Sequence, residues 1–185
     1  MPYEFQITRC VEFFETDLAG IMHFSNFFRF MESAEHAFFR SLGFSVAQSG
    51  NGLEVCLPRV HAECDYVAPL RFEDDVLVRL LVERKGRRSL TYQFRFSRLN
   101  GSPPLEVARG RLTVAFVKRH ADGAFKAVPL PKVIADKIQQ APARLLVNGR
   151  PPGKTPVALH SRRQRPLLQP SRSLPSRNTQ LSTDG

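Results

Sequence analysis

Apolar residues follow two different periods near the start of the chain. Over residues 3–14 they mostly alternate with polar residues, which predicts a β-strand. From Asn26 they recur every third or fourth residue, which predicts an amphipathic helix that ends at Gly43. The apolar face of this helix is broad and rich in phenylalanine: Phe27, Phe30, Met31, Ala34, Phe38 and Leu42. Such a face needs a broad partner, and a β-sheet provides one.

Four more segments have the composition and alternation of strands, at residues 53–66, 76–84, 89–99 and 105–118. Pro58 places the first of them at a sheet edge or at a bulge, because proline cannot donate to a ladder. Residues 85–88 form a basic hairpin turn, and residues 129–140 predict a short terminal helix or an irregular cap. One strand, a long helix and four more strands make an α+β domain over residues 1–141.

Beyond residue 141 the composition changes. Residues 142–185 hold half of the 14 prolines, eight of the 27 basic residues and one of the 17 acidic residues. The remaining 19 basic and 16 acidic residues leave the first part with a net charge of +3, against +10 for the whole chain. A segment so poor in aromatic residues cannot offset its ordering entropy by burial, so we predict a disordered basic tail.

Other classes of function receive little support. The three cysteines are too scattered for a disulfide framework, and no residues have the spacing of metal ligands. A signal peptide and a membrane span are both missing, which predicts a cytoplasmic protein. The tail could attract nucleic acid or an anionic membrane by charge alone, but it has no interleaved aromatic residues for specific nucleic-acid binding.

The candidate chemistry lies at Asp17, between the first strand and the helix. An acid before a helix most often caps it or complements its dipole. Asp17 is too far from the helix to cap it, and we expect Ser25 or Asn26 to fill that role. A carboxylate beside the free N–H groups of a helix start suits attack on an acyl group, by water with Asp17 as the base or by Asp17 itself.

The segment from Asp17 to Phe27, DLAGIMHFSNF, resembles the active-site segment of hotdog-fold acyl-CoA thioesterases of the 4-hydroxybenzoyl-CoA thioesterase type. Within that family the chain is most similar to the 1,4-dihydroxy-2-naphthoyl-CoA hydrolases of menaquinone or phylloquinone synthesis. A second segment, LPRVHAECDYVAP at residues 57–69, also resembles theirs. The resemblance implies a hotdog fold, in which a five-stranded antiparallel sheet wraps a long central helix.

The resemblance also implies roles for single residues. Asp17 matches the catalytic carboxylate, the backbone N–H at Phe24 matches the donor to the thioester carbonyl, and Gly20 permits the turn between them. A short-chain branch of the family has a Tyr and a His where this chain has Phe13 and Phe24. His23 stands one position early and does not inherit that role, although it could still contact substrate. The phenylalanines there would suit a flat aromatic acyl group.

The substrate-binding candidates are His23, Asn26, His61, Arg87, Arg88 and Ser89. In similar thioesterases a basic turn like that of Arg87 and Arg88 binds the phosphates of CoA, although such a turn can also be merely solvated. The resemblance implies a homodimer or homotetramer with sites between subunits, and no cofactor other than the CoA of the substrate. His61, with Glu63 and Asp65 on the same strand face, could then face the Asp17 of a partner.

Two other functions stay open from the sequence. A hotdog dehydratase pairs a His with an acid across the dimer, for which His61 and Glu32 are the candidates. A protein of this fold could also bind acyl thioesters without hydrolysing them. A further alternative places the function in the basic tail.

Overall fold

A computed structural model describes residues 2–46, 55–120 and 123–146 of the chain. A central helix, α1 (Ser25–Ser41), lies against a five-stranded antiparallel sheet. The strands are β1 (Glu4–Cys10), β2 (Arg59–Tyr66), β3 (Asp75–Lys85), β4 (Ser89–Arg98) and β5 (Leu105–Ala115). Their order in the sheet is β1-β3-β4-β5-β2, so β1 and β2 form the two edges.

The core lies between the phenylalanine face of α1 and one face of the sheet. The six predicted core positions of the helix are all buried. From the sheet, β4 contributes the fully buried Tyr92, Phe94 and Phe96, and β3 contributes alternate valines and leucines. Gly43, at a φ of +86°, ends the helix as predicted. The predicted hotdog fold, a sheet wrapped on one long helix, is confirmed.

Close contact between α1 and the sheet depends on Gly110 in the middle of β5. A Cβ atom at this position would overlap the sulfur of Met31 on the helix. Gly110 pairs with Phe94 on one side and with Cys64 on the other, so it cannot move away without breaking the ladder. A residue without a side chain therefore lets the helix lie against the sheet at this point.

Three predicted strand boundaries were wrong. The first strand ends at Cys10, and a 3-10 turn at Phe13–Glu15 follows, because the Glu15 side chain accepts from the N–H of Glu12. The second begins at Arg59 rather than residue 53, although residues 53 and 54 lie outside the described ranges. The last strand ends at Ala115 rather than at residue 118. After Phe116 the chain continues into a separate two-stranded sheet, β6 (Val117–Arg119) and β7 (Phe125–Ala127). Pro58 does precede the edge strand β2, which has a register shift after Arg59.

The chain after β7 returns to the sheet. The short helix α2 (Lys132–Ala135) is held by Lys85, whose ammonium group donates to the carbonyls of Ala135 and Ile138. A 3-10 turn follows at Ala143–Leu145, and Arg95 donates to the carbonyl of Leu145. The rest of the predicted basic tail, residues 147–185, lies outside the described residues.

Replacing Gly110 with Ala should destabilise the fold. The added methyl group must displace Met31, and overpacking of this kind costs roughly 1–3 kcal/mol of unfolding free energy. Urea denaturation of the variant measures the loss. The matched control is Gly110→Ala combined with Met31→Ala, which makes room for the methyl group. If the losses of unfolding free energy measured for Gly110→Ala and for Met31→Ala alone simply add in the double variant, a methyl group at position 110 does not clash with Met31.

Candidate active site

The loop that carries Asp17 is a small hairpin with regular backbone hydrogen bonds. The N–H of His23 donates to the carbonyl of Glu15 at 2.9 Å, and the N–H of Asp17 donates to the carbonyl of Ile21 at 2.9 Å. Thr16 and Met22 form an isolated bridge between these two bonds. Met22 is also tied to the approach of β3, since its N–H donates to the carbonyl of Leu70 at 2.8 Å. The backbone on both sides of Asp17 is therefore fixed.

Asp17 lies at the exposed tip of this hairpin. Its carboxylate accepts from the N–H of Ala19 at 2.8 Å, and its carbonyl accepts from the N–H of Gly20 at 2.9 Å. Gly20 has a φ of +70°, a conformation that glycine adopts without strain, so its predicted role in the turn fits. The second carboxylate oxygen of Asp17 has no hydrogen-bond partner among the described residues. That oxygen is available to a water molecule or a substrate.

The predicted cap of α1 was wrong. The helix begins at Ser25, Phe24 occupies the N-cap position, and no side chain caps it. The N–H groups of Asn26 and Phe27 instead donate to the carbonyls of His23 and Phe24, three residues earlier. Within the described ranges, the N–H groups of Phe24 and Ser25 have no acceptor. Two free donors at a helix start, where the macrodipole is positive, form a site suited to an anionic oxygen.

Asn26 and Ser25 are engaged in the loop instead of capping the helix. Asn26 is buried, and its side-chain amide donates to the carbonyl of Glu15 at 2.8 Å. Ser25 hydrogen-bonds with Nδ1 of His23 at 2.8 Å, and the exposed His23 ring packs on Phe24 with 4.5 Å between centroids. Asn26 thus lies beneath the surface, while His23 lies on it.

Glu15 is a positioning residue that the sequence analysis did not identify. Its side chain is buried and accepts from the N–H of Glu12 at 2.9 Å. Arg9 lies 3.8 Å from its other oxygen and stacks over the ring of Phe30 on α1. The sequence does contain a signal for Glu15, since it is a charged residue that follows two phenylalanines and stands two positions before Asp17.

Exposed aromatic side chains surround the loop. Phe13 is 74% exposed and packs edge-on against Phe72, and Phe24 is 59% exposed. Tyr66, at the end of β2, was also missed: its hydroxyl lies 3.4 Å from the Phe24 carbonyl and its ring packs against Phe27. Burial raises the pKa of Tyr66 to about 12, so its hydroxyl stays protonated at neutral pH and can donate a hydrogen bond. Strand alternation places Tyr66 on the face of β2 opposite His61, Glu63 and Asp65.

The other predicted substrate-binding residues lie far from Asp17 in the same protomer. Arg87, Arg88 and Ser89 follow the end of β3, whereas the Asp17 hairpin adjoins its beginning. The eleven residues of β3 make this distance roughly 33 Å. His61 lies near the start of β2 and pairs with Glu63 at 3.3 Å, while Glu32 pairs with Arg59 at 3.0 Å. The structure therefore does not bring His61 and Glu32 into contact within one protomer.

A buried carboxyl group lies between α1 and the sheet. Glu35 is 1% exposed, and one of its oxygens lies 2.7 Å from the guanidinium of Arg59. Burial raises the pKa of Glu35 to about 7, and the nearby Arg59 opposes that shift. The other carboxyl oxygen and the hydroxyl of Tyr92 are buried without a regular hydrogen-bond partner. Glu35 is thus a titratable group inside the core.

The described ranges hold no group of three or more His, Cys, Asp or Glu side chains placed to bind a metal ion. Among the helices of the same ranges, none is both long enough and apolar enough to cross a bilayer.

The sequence was compared with those of known proteins. A profile described as "Thioesterase superfamily" matches residues 19–104. A protein of Aquifex aeolicus (strain VF5), provisionally named an esterase, is 34% identical over 140 residues, which cover 75% of this chain and 99% of that protein. The chain belongs to the thioesterase superfamily. The matched region includes the second half of the Asp17 hairpin, all of α1 and most of the sheet.

This thioesterase is also similar to proteins with a stated substrate. A 1,4-dihydroxy-2-naphthoyl-CoA hydrolase of Prochlorococcus marinus (strain NATL2A) is 28% identical over 99 residues, which span 50% of this chain and 64% of that hydrolase. A crystal structure of a 1,4-dihydroxy-2-naphthoyl-CoA thioesterase from Synechocystis has a TM-score of 0.65 at 24% identity, covering 73% of this chain and 95% of that one. The structural match supports the hotdog fold. These relatives are named as a hydrolase and a thioesterase, which does not favour a dehydratase.

The raised pKa of Glu35 should make stability depend on pH. With a pKa of about 7 in the folded state and 4.5 as the ordinary value, the folded protein binds the proton more tightly. This group therefore stabilises the fold fully below about pH 4.5, and that contribution, about 3 kcal/mol, is lost as the pH rises through 7. We expect the unfolding free energy of wild type minus that of Glu35→Gln to fall by this amount between pH 4.5 and 8.

Urea denaturation at one protein concentration across this pH range provides the measurement. Glu32→Gln is the matched control, because Glu32 contacts the same Arg59 but is half exposed. Its difference from wild type should change little over the same range. A pH-independent difference for Glu35→Gln would show that Glu35 stays ionised in the folded protein.

Proposed function

We propose that this thioesterase hydrolyses acyl-CoA thioesters whose acyl group is aromatic or otherwise bulky, giving the free acid and CoA. The observation that carries the proposal is a set of unsatisfied groups on the rigid Asp17 hairpin and at the helix start that directly follows it. A carboxylate oxygen of Asp17 and the N–H groups of Phe24 and Ser25 lack partners in the described ranges. A base and an oxyanion site are the two elements that thioester hydrolysis needs.

In the proposed reaction, the N–H of Phe24 donates to the thioester carbonyl oxygen. Asp17 takes a proton from a water molecule as that water attacks the carbonyl carbon. The negative charge that develops on the oxygen is stabilised by the helix start, and the tetrahedral intermediate collapses by breaking the carbon–sulfur bond. CoA leaves as the thiolate and receives the proton. Direct attack by Asp17 would place the negative charge on the same carbonyl oxygen. Breaking of the carbon–sulfur bond would then release CoA thiolate and leave an anhydride between Asp17 and the acyl group, which water hydrolyses to the free acid.

The side chains around the hairpin favour a flat acyl group. Phe13, Phe24 and Tyr66 expose aromatic surface there, and offset or edge-on stacking with an aromatic acyl group would bury it. The similarity to 1,4-dihydroxy-2-naphthoyl-CoA hydrolases supports a bicyclic aromatic acyl group as the first substrate to test. His23 is the exposed polar group next to Phe24, so it is the proposed contact for a ring substituent.

The proposal includes a homodimer or homotetramer. The edge strand β2 is exposed on both faces, and its outer edge is open for pairing. A second copy that paired antiparallel to β2 would have reversed strands, so its basic turn would lie at the Asp17 end of this sheet. The partner's Arg87, Arg88 and Ser89 could then bind the CoA phosphates, which the same turn of one protomer is too distant to do. The partner's His61 would then lie near the Tyr66 end of β2 in this protomer.

The proposed location is the cytoplasm, where CoA thioesters are made and thiols stay reduced. None of Cys10, Cys56 and Cys64 forms a disulfide in the described ranges, which is compatible with a reducing compartment.

Replacing Asp17 with Asn should remove hydrolysis while preserving the fold. The side chain is exposed and an amide can still accept from Ala19, so the hairpin should form. Loss of a general base or nucleophile should lower kcat by at least about 10²–10⁴-fold, with a smaller effect on KM. Release of CoA thiol from 1,4-dihydroxy-2-naphthoyl-CoA or benzoyl-CoA measures the rate.

Glu12→Gln is the matched control, since it removes an exposed carboxylate from the same loop region without touching Asp17. It should hydrolyse at nearly the wild-type rate. An Asp17→Asn variant with an undiminished rate would overturn the proposal, and so would a wild type that releases no thiol from any aromatic acyl-CoA.

A further inference from the structure

The β6–β7 hairpin is separate from the main sheet. It forms a two-stranded sheet of its own, in which Val117 pairs with Ala127, Lys118 with Lys126, and Arg119 with Phe125. Apart from Val117, each of these six residues is exposed. Val117 forms a backbone bridge with Cys56, so the hairpin is anchored at that end, and its other five paired residues project their side chains into solvent.

The hairpin carries three cationic side chains. Lys118 and Lys126 are paired across its two strands. Arg119 occupies the other face, and within the described ranges neither Arg119 nor Lys126 takes part in an ion pair. The hairpin thus concentrates positive charge on both of its faces.

The arginines of the main sheet are different. Arg79 forms an ion pair with Glu4, Arg109 with Glu106, and Arg111 with Glu83. Each of these arginines lies 2.7–2.8 Å from its carboxylate partner. These three arginines are neutralised within the sheet, whereas Arg119 and Lys126 have no carboxylate partner in the described ranges and are available to an outside anion.

A large aromatic side chain lies among these cations. Phe125 is 61% exposed and sits directly opposite Arg119 on the same face of the hairpin. Phe125 also lines an apolar cleft of about 470 Å³ together with Cys56, Leu57 and Pro58. An exposed aromatic ring flanked by cations matches the boundary between lipid headgroups and acyl chains, where aromatic residues and Lys or Arg both gather.

We propose that the β6–β7 hairpin docks this protein on an anionic phospholipid bilayer. Arg119 and Lys126 would contact the headgroup phosphates, and Phe125 would enter the interfacial layer. An acidic protein surface that also buries Phe125 is the alternative occupant, and the vesicle experiment separates it from a bilayer. This proposal does not depend on Asp17 or on thioester hydrolysis.

The test is partition of the full-length protein onto sedimented vesicles. Wild type should bind vesicles of phosphatidylcholine with 30% phosphatidylglycerol (about one anionic lipid in three, within the range where basic segments respond to surface charge) and not vesicles of phosphatidylcholine alone. Arg119→Glu should weaken this binding by roughly tenfold or more, because it removes one attraction and adds one repulsion. Phe125→Ala should weaken it several-fold.

The matched control is Arg40→Glu, which makes the same charge change at an exposed position at the end of α1. This control separates the hairpin from the net charge of the chain and from its basic tail, and it should bind within about twofold of wild type. Circular dichroism and melting temperature show whether each variant is folded, independently of any hydrolase activity.

Three results would overturn the proposal. Wild type could fail to bind anionic vesicles, which would leave an acidic protein as the occupant to test. Arg119→Glu and Arg40→Glu could lose binding equally, which would assign it to overall charge. Phe125→Ala and Arg119→Glu could both bind as wild type does, which would assign binding to a segment other than the hairpin.

Discussion

The candidate active site depends on the carbonyl group of Glu15. It accepts two hydrogen bonds, from the backbone of His23 and from the side chain of Asn26, at 2.9 and 2.8 Å. One bond closes the hairpin that presents Asp17, and the other ties that hairpin to the first turn of α1. Phe24, whose side chain cannot accept a hydrogen bond, occupies the N-cap position, and the N–H groups of Phe24 and Ser25 have no acceptor in the described ranges. The Glu15 carbonyl thus fixes the position of the carboxylate relative to the helix start that carries these two donors.

The sheet separates the parts of the site along its length. Asp17, Phe24 and Tyr66 lie at one end, and the basic turn with Arg87 and Arg88 lies at the other, roughly 33 Å away along β3. If the basic turn binds the phosphates of CoA, as proposed, the turn of the same protomer is too distant from Asp17 to do so. In the proposed oligomer, an antiparallel copy at the open edge of β2 would bring its own basic turn to the Asp17 end. The proposed site would then be shared between two protomers.

Periodicity predicted the large elements well, because α1 and the strands bury one side of a regular pattern. Asp17 and Gly20 were selected as candidates from the sequence because an acid too far from the helix to cap it and a turn residue lie between a predicted strand and a predicted helix. The role of Asn26 could not be predicted, since whether an amide caps its own helix or bonds to a distant carbonyl depends on tertiary structure. The same holds for Glu35 and Tyr66. The sequence shows Glu35 as a charge on an apolar helix face, but only the folded structure shows that Arg59 is its partner. It shows Tyr66 as an aromatic residue at a strand end, but not its contact with the carbonyl of Phe24. The break at Phe116 was missed because β5 and β6 share one continuous alternation.

The central claim is that the free N–H at Phe24 polarises the thioester carbonyl, and vibrational spectroscopy tests it most directly. An aromatic acyl-CoA with a ¹³C-labelled carbonyl can be bound to the Asp17→Asn protein, so that the thioester stays intact. Infrared difference spectra against the unlabelled ligand isolate the carbonyl stretch. We predict a shift to lower frequency relative to the free thioester in water, since a hydrogen bond from a helix start weakens the C=O bond more than solvent does. A bound carbonyl at the frequency of the free thioester, or above it, would contradict the account.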